Sequence, residues 1–349
     1  MTDSLDSAFM RLALEQAKLA WGLTAPNPMV GAVVVRDGQV VGKGYHHGAG
    51  QPHAEPNALR DAGEAASGAT LYVTLEPCCT FGRTPPCTEA IKAAGIRRVV
   101  IGCLDPNPKH AGRGVGILRE AGIMVDTGAC EDECLALNRG FFTWITEKRP
   151  YVLLKMAMTL DGKIATASGD SKWVTGPEAR AEVQRMRRWA DAIMVGGETV
   201  RQDNPSLLVR SPENWPKQPQ RLVWTSRDIP EDSAMLHDGG PFPRRVKPVT
   251  AQEWRALLAE LAEDDVMVLM LEGGGELAAA ALQAGIVDEV AFFVAPKLLC
   301  GRGSRPVVGG RDPLALGEAL ELADMAVTMT GKDMLVTGRI ARGDAAQDK

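Results

Sequence analysis

His53-Ala54-Glu55 stands ahead of Pro77-Cys78 and Cys87 in this chain. Pro77 lies 22 residues after Glu55, and Cys87 nine after Cys78. One imidazole and two thiolates make a three-ligand zinc site with one position open, the coordination of a catalytic rather than a structural zinc. The open position can hold a water whose pKa the metal lowers towards about 7. Glu55 is not needed as a ligand. It is placed to move protons between that water and a leaving amine. H-x-E followed by P-C-x-x-C marks zinc enzymes that deaminate nucleobases. Here eight residues, Cys79 to Pro86, separate the two cysteines in place of two. Cys79 competes as a ligand, but adjacent side chains rarely point the same way, so Cys78 is preferred. A zinc that only staples loops would take a fourth protein ligand, and His46 or His47 could supply it. That arrangement leaves Glu55 idle.

The elements that must position these residues can be read around them. His53 to Arg60 reads as a short helix. Thr70 to Leu75 reads as a strand ending at Glu76-Pro77-Cys78. Pro85-Pro86 opens a helix over Cys87 to Ala94, because proline suits a first helical turn. His53 and Cys87 therefore each sit at a helix start. Phe9, Leu12, Ala13, Ala17 and Ala20 recur at helical spacing, so Asp6 to Trp21 is an amphipathic helix. Val30 to Val35, the turn Asp37-Gly38 and Gln39 to Gly44 predict a hairpin. Further on come a strand at Arg98 to Cys103, a helix at Gly114 to Ala121, a short strand at Ile123 to Asp126 and a helix at Glu131 to Lys148. The alternation predicts a layered α/β domain. Proline stops the last helix at Arg149-Pro150, which predicts domains at 1–148 and 149–349.

A second alternation follows. Strands are expected at Tyr151 to Met156, Ala192 to Gly196, Arg221 to Thr225, Val266 to Leu271 and Glu289 to Val294. Helices are expected at Pro177 to Trp189, Ala251 to Ala262 and Glu276 to Ala284. Ala326 to Ile340 reads as a hairpin around Gly331-Lys332. Gly273-Gly274-Gly275 follows a strand and opens a helix, a geometry that offers backbone N–H groups to a phosphate. It is not G-x-G-x-x-G, and a plain turn explains it equally well. Arg180, Arg185, Arg187 and Arg188 crowd one helix, as a solvated face or as partners for a phosphate. From residue type alone, Leu207 reads as core-like, while a core position for Trp173 and a turn-forming role for Asp203 before Asn204-Pro205 are alternatives to a functional one.

His53-Ala54-Glu55, Thr74-Leu75-Glu76-Pro77-Cys78 and Gly82-Arg83-Thr84-Pro85-Pro86-Cys87 together resemble the bifunctional riboflavin-biosynthesis deaminase/reductase family, RibD. Its G-R-T-P-P-C loop sets it apart among zinc deaminases. Ala25-Pro26-Asn27-Pro28-Met29-Val30-Gly31 and Asp105-Pro106-Asn107-Pro108 match its substrate loops, with Asn27 a substrate contact. Lys155, Thr159 to Ala165, Ser171 to Thr175, Asp203 to Leu207 and Leu271 to Gly274 match its reductase signature, so the resemblance covers nearly the whole chain. It implies an α/β chain with an N-terminal cytidine-deaminase-like three-layer domain and a C-terminal dihydrofolate-reductase-like domain. It implies one Zn2+ per chain on His53, Cys78 and Cys87, with Glu55 catalytic. NADPH would touch Ala157, Trp173, Thr199, Asp203, Ser226, Gly274, Gly275, Glu276 and Leu277. Lys155, Ser171, Arg187, Leu207, Arg210 and Glu272 would hold the substrate, with Arg210 or Arg187 on its 5-phosphate. The implied reactions are hydrolytic deamination of 2,5-diamino-6-(5-phosphoribosylamino)pyrimidin-4(3H)-one and NADPH reduction of its ribosyl side chain to ribityl. Relatives carry a strand between the counterparts of Ser226 and Val266. Here Pro230 to Thr250 is proline-rich and weakly apolar, so that strand is expected to be missing or degenerate. On that ground a second reading keeps an active deaminase beside a degenerate reductase half.

Composition bounds these readings. At roughly 150 residues per domain, 349 residues suggest two domains. The net charge is −5, and no basic stripe of the kind that binds nucleic acid stands out, which speaks against an RNA-editing deaminase. No apolar run approaches the roughly 18 to 20 residues of a membrane span. The first residues are acidic where a signal peptide would be positive, so a cytoplasmic enzyme acting on a small molecule is expected, and homo-oligomers are common among such enzymes. Seven cysteines do not form a disulfide framework. Cys103, Cys130, Cys134 and Cys300 are expected to be plain thiols.

Overall fold

The computed structural model describes residues 5–81 and 85–341. The chain divides into two compact units, Met1–Lys148 and Arg149–Lys349. No helix among the described residues is long and apolar enough to cross a membrane. All seven cysteines are free thiols.

In the first unit, α1 (Leu5–Lys18) precedes the hairpin β1 (Gly31–Arg36) and β2 (Gln39–Tyr45). Then come α2 (Ala54–Ala62), β3 (Thr70–Leu75), α3 (Cys87–Ala93), β4 (Arg98–Cys103), α4 (Arg113–Glu120), β5 (Met124–Thr127), α5 (Glu131–Leu137) and α6 (Arg139–Glu147). The sheet order is β2-β1-β3-β4-β5. β1 pairs antiparallel with β2 and β3, while β3, β4 and β5 run parallel. β1, β3 and β4 are buried along almost their whole length, as strands covered on both faces must be. Ala32, Val34, Leu71, Val73, Val99 and Ile101 pack against α2, α3 and α4. On the other face Tyr72 meets Phe9 of α1 and donates its hydroxyl to Asp6. Three layers result. A Cβ on Gly42 or Gly44 would stand 2.5 and 2.3 Å from the α2 backbone. These two glycines let α2, which begins at the candidate metal ligand His53, lie flat on β2.

The helix expected over Glu131 to Lys148 is broken in two at Asn138. Its φ and ψ of −111° and 19° leave the helical region. Its buried side chain accepts a bond from Met29 N and donates to Met29 O, each at 2.8 Å. The break thus ties the helix pair to the loop carrying Asn27.

The second unit is built from β6 (Tyr151–Thr159), β7 (Lys163–Ala165), α7 (Pro177–Trp189), β8 (Ala192–Gly196), α8 (Gly197–Asp203), β9 (Gln220–Trp224), α9 (Ala234–His237), β10 (Arg244–Val246), α10 (Ala251–Glu263), β11 (Val268–Glu272), α11 (Gly275–Gln283), β12 (Glu289–Ala295), β13 (Arg305–Pro306), β14 (Leu322–Thr330) and β15 (Asp333–Ile340). The main sheet runs β10-β9-β8-β11-β6-β12-β15-β14. β10 to β12 along that order are parallel, and β12, β15 and β14 are antiparallel. β7 and β13 pair by themselves. α10 and α11 bury Trp254, Leu257, Leu258, Leu261, Leu277 and Ala281 against Val152, Leu154, Met156 and Leu271. The strand expected to be missing is present: β10 holds three residues and pairs parallel with β9. It is short because prolines bound it, and proline cannot donate to a ladder.

Candidate active sites

The first site forms where α2 and α3 begin. His53 is the N-cap of α2, and Cys87 is the first residue of α3. His53 Nδ1 lies 3.5 Å from Cys78 Sγ and 3.3 Å from Cys87 Sγ. A tetrahedral zinc with Zn–N and Zn–S bonds of about 2.0 and 2.3 Å places its N and S donors about 3.5 Å apart. These three residues are the cluster of metal-binding side chains that comes together among the described residues. Cys79 points elsewhere, with its thiol near Lys109 O and His110. His46 is also occupied: its ring bonds Asn27 Nδ2 at 2.9 Å and Pro52 O at 3.1 Å. Gly82, Arg83 and Thr84 of the preceding loop lie outside the described residues.

The electrostatics of this site favour metal binding and proton movement. A hydrogen bond from Cys87 holds the Cys78 thiol down at about 4, against the effect of burial and with help from His53. The same bond, with burial, pushes Cys87 up. Glu55 is 3% exposed. Burial pushes its carboxyl up to about 7, and the Cys78 charge adds to this. Burial lowers the pKa of the His46 ring, which favours its neutral form. Its Nδ1–H then donates to Pro52 O, and its Nε2 accepts from Asn27, which turns the Asn27 carbonyl away from the ring.

Glu76 was legible only as part of a motif, yet it organises this region. Its buried carboxylate accepts from four backbone N–H groups, those of Asp105, Gly112, Gly114 and Val115, at 2.9 to 3.3 Å. It pins the loop of Asp105-Pro106-Asn107-Pro108 beside Cys78.

The second site is a cleft of about 1280 Å³ across the C-terminal ends of the parallel strands. Ligand pockets run about 300–1,000 Å³, so this one is larger than most. Such crevices are where open α/β sheets bind ligands. Lys155 and Ala157 line it from β6, and Glu272 from the end of β11. Ser171 and Trp173 come from the loop after β7, Arg187 from α7, and Thr199 and Asp203 from α8. Leu207, Arg210 and Ser226 come from loops, and Gly274, Gly275, Glu276 and Leu277 from the start of α11. Every residue that the resemblance implies for NADPH or the reductase substrate therefore lines one cavity, and so does Arg180, whereas Arg185 and Arg188 do not. Asn27 belongs to the first unit.

At the cleft floor Arg187 donates Nε and Nη2 to Glu272 at 3.0 and 2.9 Å, and Nη1 to Leu208 O at 3.1 Å. Lys155 Nζ stands 3.5 Å from the same carboxylate. Burial alone would raise the Glu272 carboxyl, but the Arg187 and Lys155 charges hold it at about 2. Lys155 itself is lowered, because burial and Arg187 outweigh Glu272. The bidentate Arg187–Glu272 pair is thus the dominant one. Arg187 is committed to it, while Arg210 lies exposed at the rim.

Trp173 is 64% exposed, with the Arg180 guanidinium 4.8 Å from its ring centre; it is not core. Asp203 accepts a 2.6 Å bond from the Ser171 hydroxyl, linking the two cleft walls. Leu207 is buried. Gly273 and Gly274 have φ of 85° and 88°, which other residues rarely adopt. A Cβ on Gly275 would stand 2.8 Å from Pro306 O. The first N–H groups of α11 have no intrahelical acceptor, so this bare turn fits a phosphate-bearing cofactor.

Residues 150–336 match the model of the RibD C-terminal domain, and residues 3–103 that of the cytidine and deoxycytidylate deaminase zinc-binding region. The riboflavin biosynthesis protein RibD of Aquifex aeolicus is 43% identical over 96% of this chain and 99% of its own length. The chain belongs to the RibD family. Among solved RibD structures, that of Acinetobacter baumannii covers 97% of this chain and 99% of its own, at 39% identity and a TM-score of 0.87. A Thermotoga maritima protein is described as a diaminohydroxyphosphoribosylaminopyrimidine deaminase/5-amino-6-(5-phosphoribosylamino)uracil reductase. It covers 97% of this chain and 99% of its own, at 35% identity and a TM-score of 0.83. The RibD family accounts for both units: a cytidine-deaminase-like domain with a zinc-binding region, and a reductase domain of dihydrofolate-reductase type.

Proposed function

We propose that this chain carries out two steps of riboflavin biosynthesis. The first is hydrolytic deamination of a diaminopyrimidinone bearing a phosphoribosylamino group, and the second is reduction of the ribosyl group to ribityl. The observation that carries this reading is the pairing, in one RibD-family chain, of an N,S,S donor triangle touching a buried acid with a second, large cleft lined by Lys155, Arg187 and Glu272. No observation favours a degenerate reductase half.

His53, Cys78 and Cys87 would hold one zinc, and the Gly274 to Leu277 turn, Thr199 and Ser226 would hold NADPH. When bound, zinc supplies a Lewis acid that acidifies water, and NADPH supplies a hydride. Glu55, near 7, takes a proton from the attacking water and delivers it to the exocyclic nitrogen, so that ammonia leaves. Asn27, held by His46, offers its carbonyl to the pyrimidine. In the cleft, Lys155 and Glu272 orient the ribosyl group whose carbon is reduced. Arg187 is a positioning residue for Glu272, and Arg210 at the rim is left to meet the 5-phosphate.

Two assays on zinc-loaded protein test this: ammonia release from the diaminopyrimidinone, and NADPH oxidation with the deaminated uracil as substrate. Both signals are expected. Ammonia without oxidation would leave the deaminase standing and sink the reductase. Neither signal from folded protein would refute the assignment.

A further inference from the structure

Thr159-Leu160-Asp161-Gly162-Lys163 does not line the cleft, and the reactions above leave it without a part. Thr159 donates its hydroxyl to Asp161 Oδ1 at 2.6 Å. The two Asp161 oxygens accept from Leu299 N at 3.2 Å and Cys300 N at 2.8 Å. Leu160 N donates to Lys297 O at 2.9 Å. The turn between β6 and β7 thus holds the segment that leaves β12. From that segment Lys297 donates Nζ to Trp173 O at 2.7 Å. Residues 171–176, which carry Trp173, hold no helix or strand, so side chains must fix them. Asp203 takes the Ser171 hydroxyl at one end, and the buried Asp333 accepts from Gly176 N at 2.6 Å at the other. Lys297 is the tie between these ends. It sits on the residue whose indole lines the cleft while staying 64% exposed.

We propose that Lys297, held by Leu160 and Asp161, is a positioning residue for the reduction: it latches residues 171–176 so that the Trp173 indole stands in the cleft wall before NADPH arrives. This rests on reading the unit as an NADPH-dependent reductase. Ordering a loose segment on binding subtracts from affinity, and a wall already in place spares that cost. An ammonium on a carbonyl makes a charge-assisted bond, stronger than one between neutral groups. Lys297 is exposed, so removing its charge strands nothing in the core. The signature between β6 and β7 then serves the cleft from outside it, through Lys297 and the Trp173 carbonyl.

Fluorine NMR of the full chain labelled with 5-fluorotryptophan tests the latch without any ligand. The Trp173 signal is the one absent from Trp173→Phe. It is expected to move in Lys297→Met and in Asp161→Ala, to stay near its wild-type place in Lys297→Arg, and to move alone among the tryptophan signals. A Trp173 signal unmoved in Lys297→Met overturns the latch. Calorimetric binding of NADPH then reads its use. Lys297→Met is expected to weaken NADPH about fivefold, with ammonia release and melting temperature unchanged. Added to Trp173→Ala, it should weaken NADPH no further, because it acts through the indole. A further fivefold loss there, or a moved signal with NADPH affinity intact, refutes the positioning role. A wild type that neither binds nor oxidises NADPH refutes the reductase reading itself, while the fluorine signal still decides the latch.

Discussion

Two buried glutamates lie at the two sites and are held in opposite states. Glu55 touches the metal donors, and burial, which the nearby His53 only partly offsets, lifts its carboxyl to about 7. Glu272 is largely enclosed, its side chain 13% exposed, but Arg187 and Lys155 overcome burial and hold it at about 2. A group near 7 can take and give a proton at neutral pH. A group near 2 cannot; it is a fixed charge that aligns what surrounds it. The same residue type thus serves proton transfer in one unit and positioning in the other, and neighbouring charge decides which.

Neutral substitutions at the two glutamates break the comparison most sharply. Glu55→Gln is expected to cut ammonia release by about 10²–10⁴-fold, with the fold intact, since an uncharged amide replaces a partly protonated acid. A melting curve beside the ammonia assay checks both halves of that statement. Glu272→Gln is expected to do the reverse: it leaves Arg187 and Lys155 buried without their counter-charge, and stability falls by about 3–5 kcal/mol. The pH dependence follows in sign. The folded pKa of Glu272 is depressed from its ordinary 4.5 to about 2, so its contribution is full above the unfolded value and is lost as pH falls through that window. Denaturant melts of wild type should lose about 3 kcal/mol across it, and Glu272→Gln should not show this loss.

Smaller effects sharpen the contrast. Asn138→Ala removes both bonds to the Met29 backbone and is expected to cost about 2 kcal/mol, measured as a urea midpoint, with a raised KM for deamination because the Asn27 loop loosens. Arg210→Ala should raise KM for the reduction about tenfold with kcat unchanged, as loss of a uniform binding contact does. A fall in kcat instead would move Arg210 from substrate binding to positioning.

The two sites also differ in how far the sequence revealed them. The zinc ligands and Glu55 lie within 35 residues, at helix starts marked by His53 and Pro86, so local spacing was enough. The cleft gathers residues from Lys155 to Leu277, and its members were named through family resemblance rather than pattern. The Arg187–Glu272 pair spans 85 positions, and no periodicity encodes it. Helical periodicity continues on both sides of Asn138; a partner 109 residues away breaks it. β10 was missed as a strand because three residues between prolines give no alternation to read. Glu76 was visible only in its motif, since its four donors lie in a loop and helix start 29 to 39 residues on.

The most direct test follows NADPH oxidation by zinc-loaded protein given the diaminopyrimidinone ribosyl phosphate, not its deaminated product. The account predicts oxidation that disappears in Glu55→Gln and returns when the deaminated uracil is supplied to that variant. Oxidation that persists in Glu55→Gln with the diamino substrate would contradict it, because the second step would then not depend on the first.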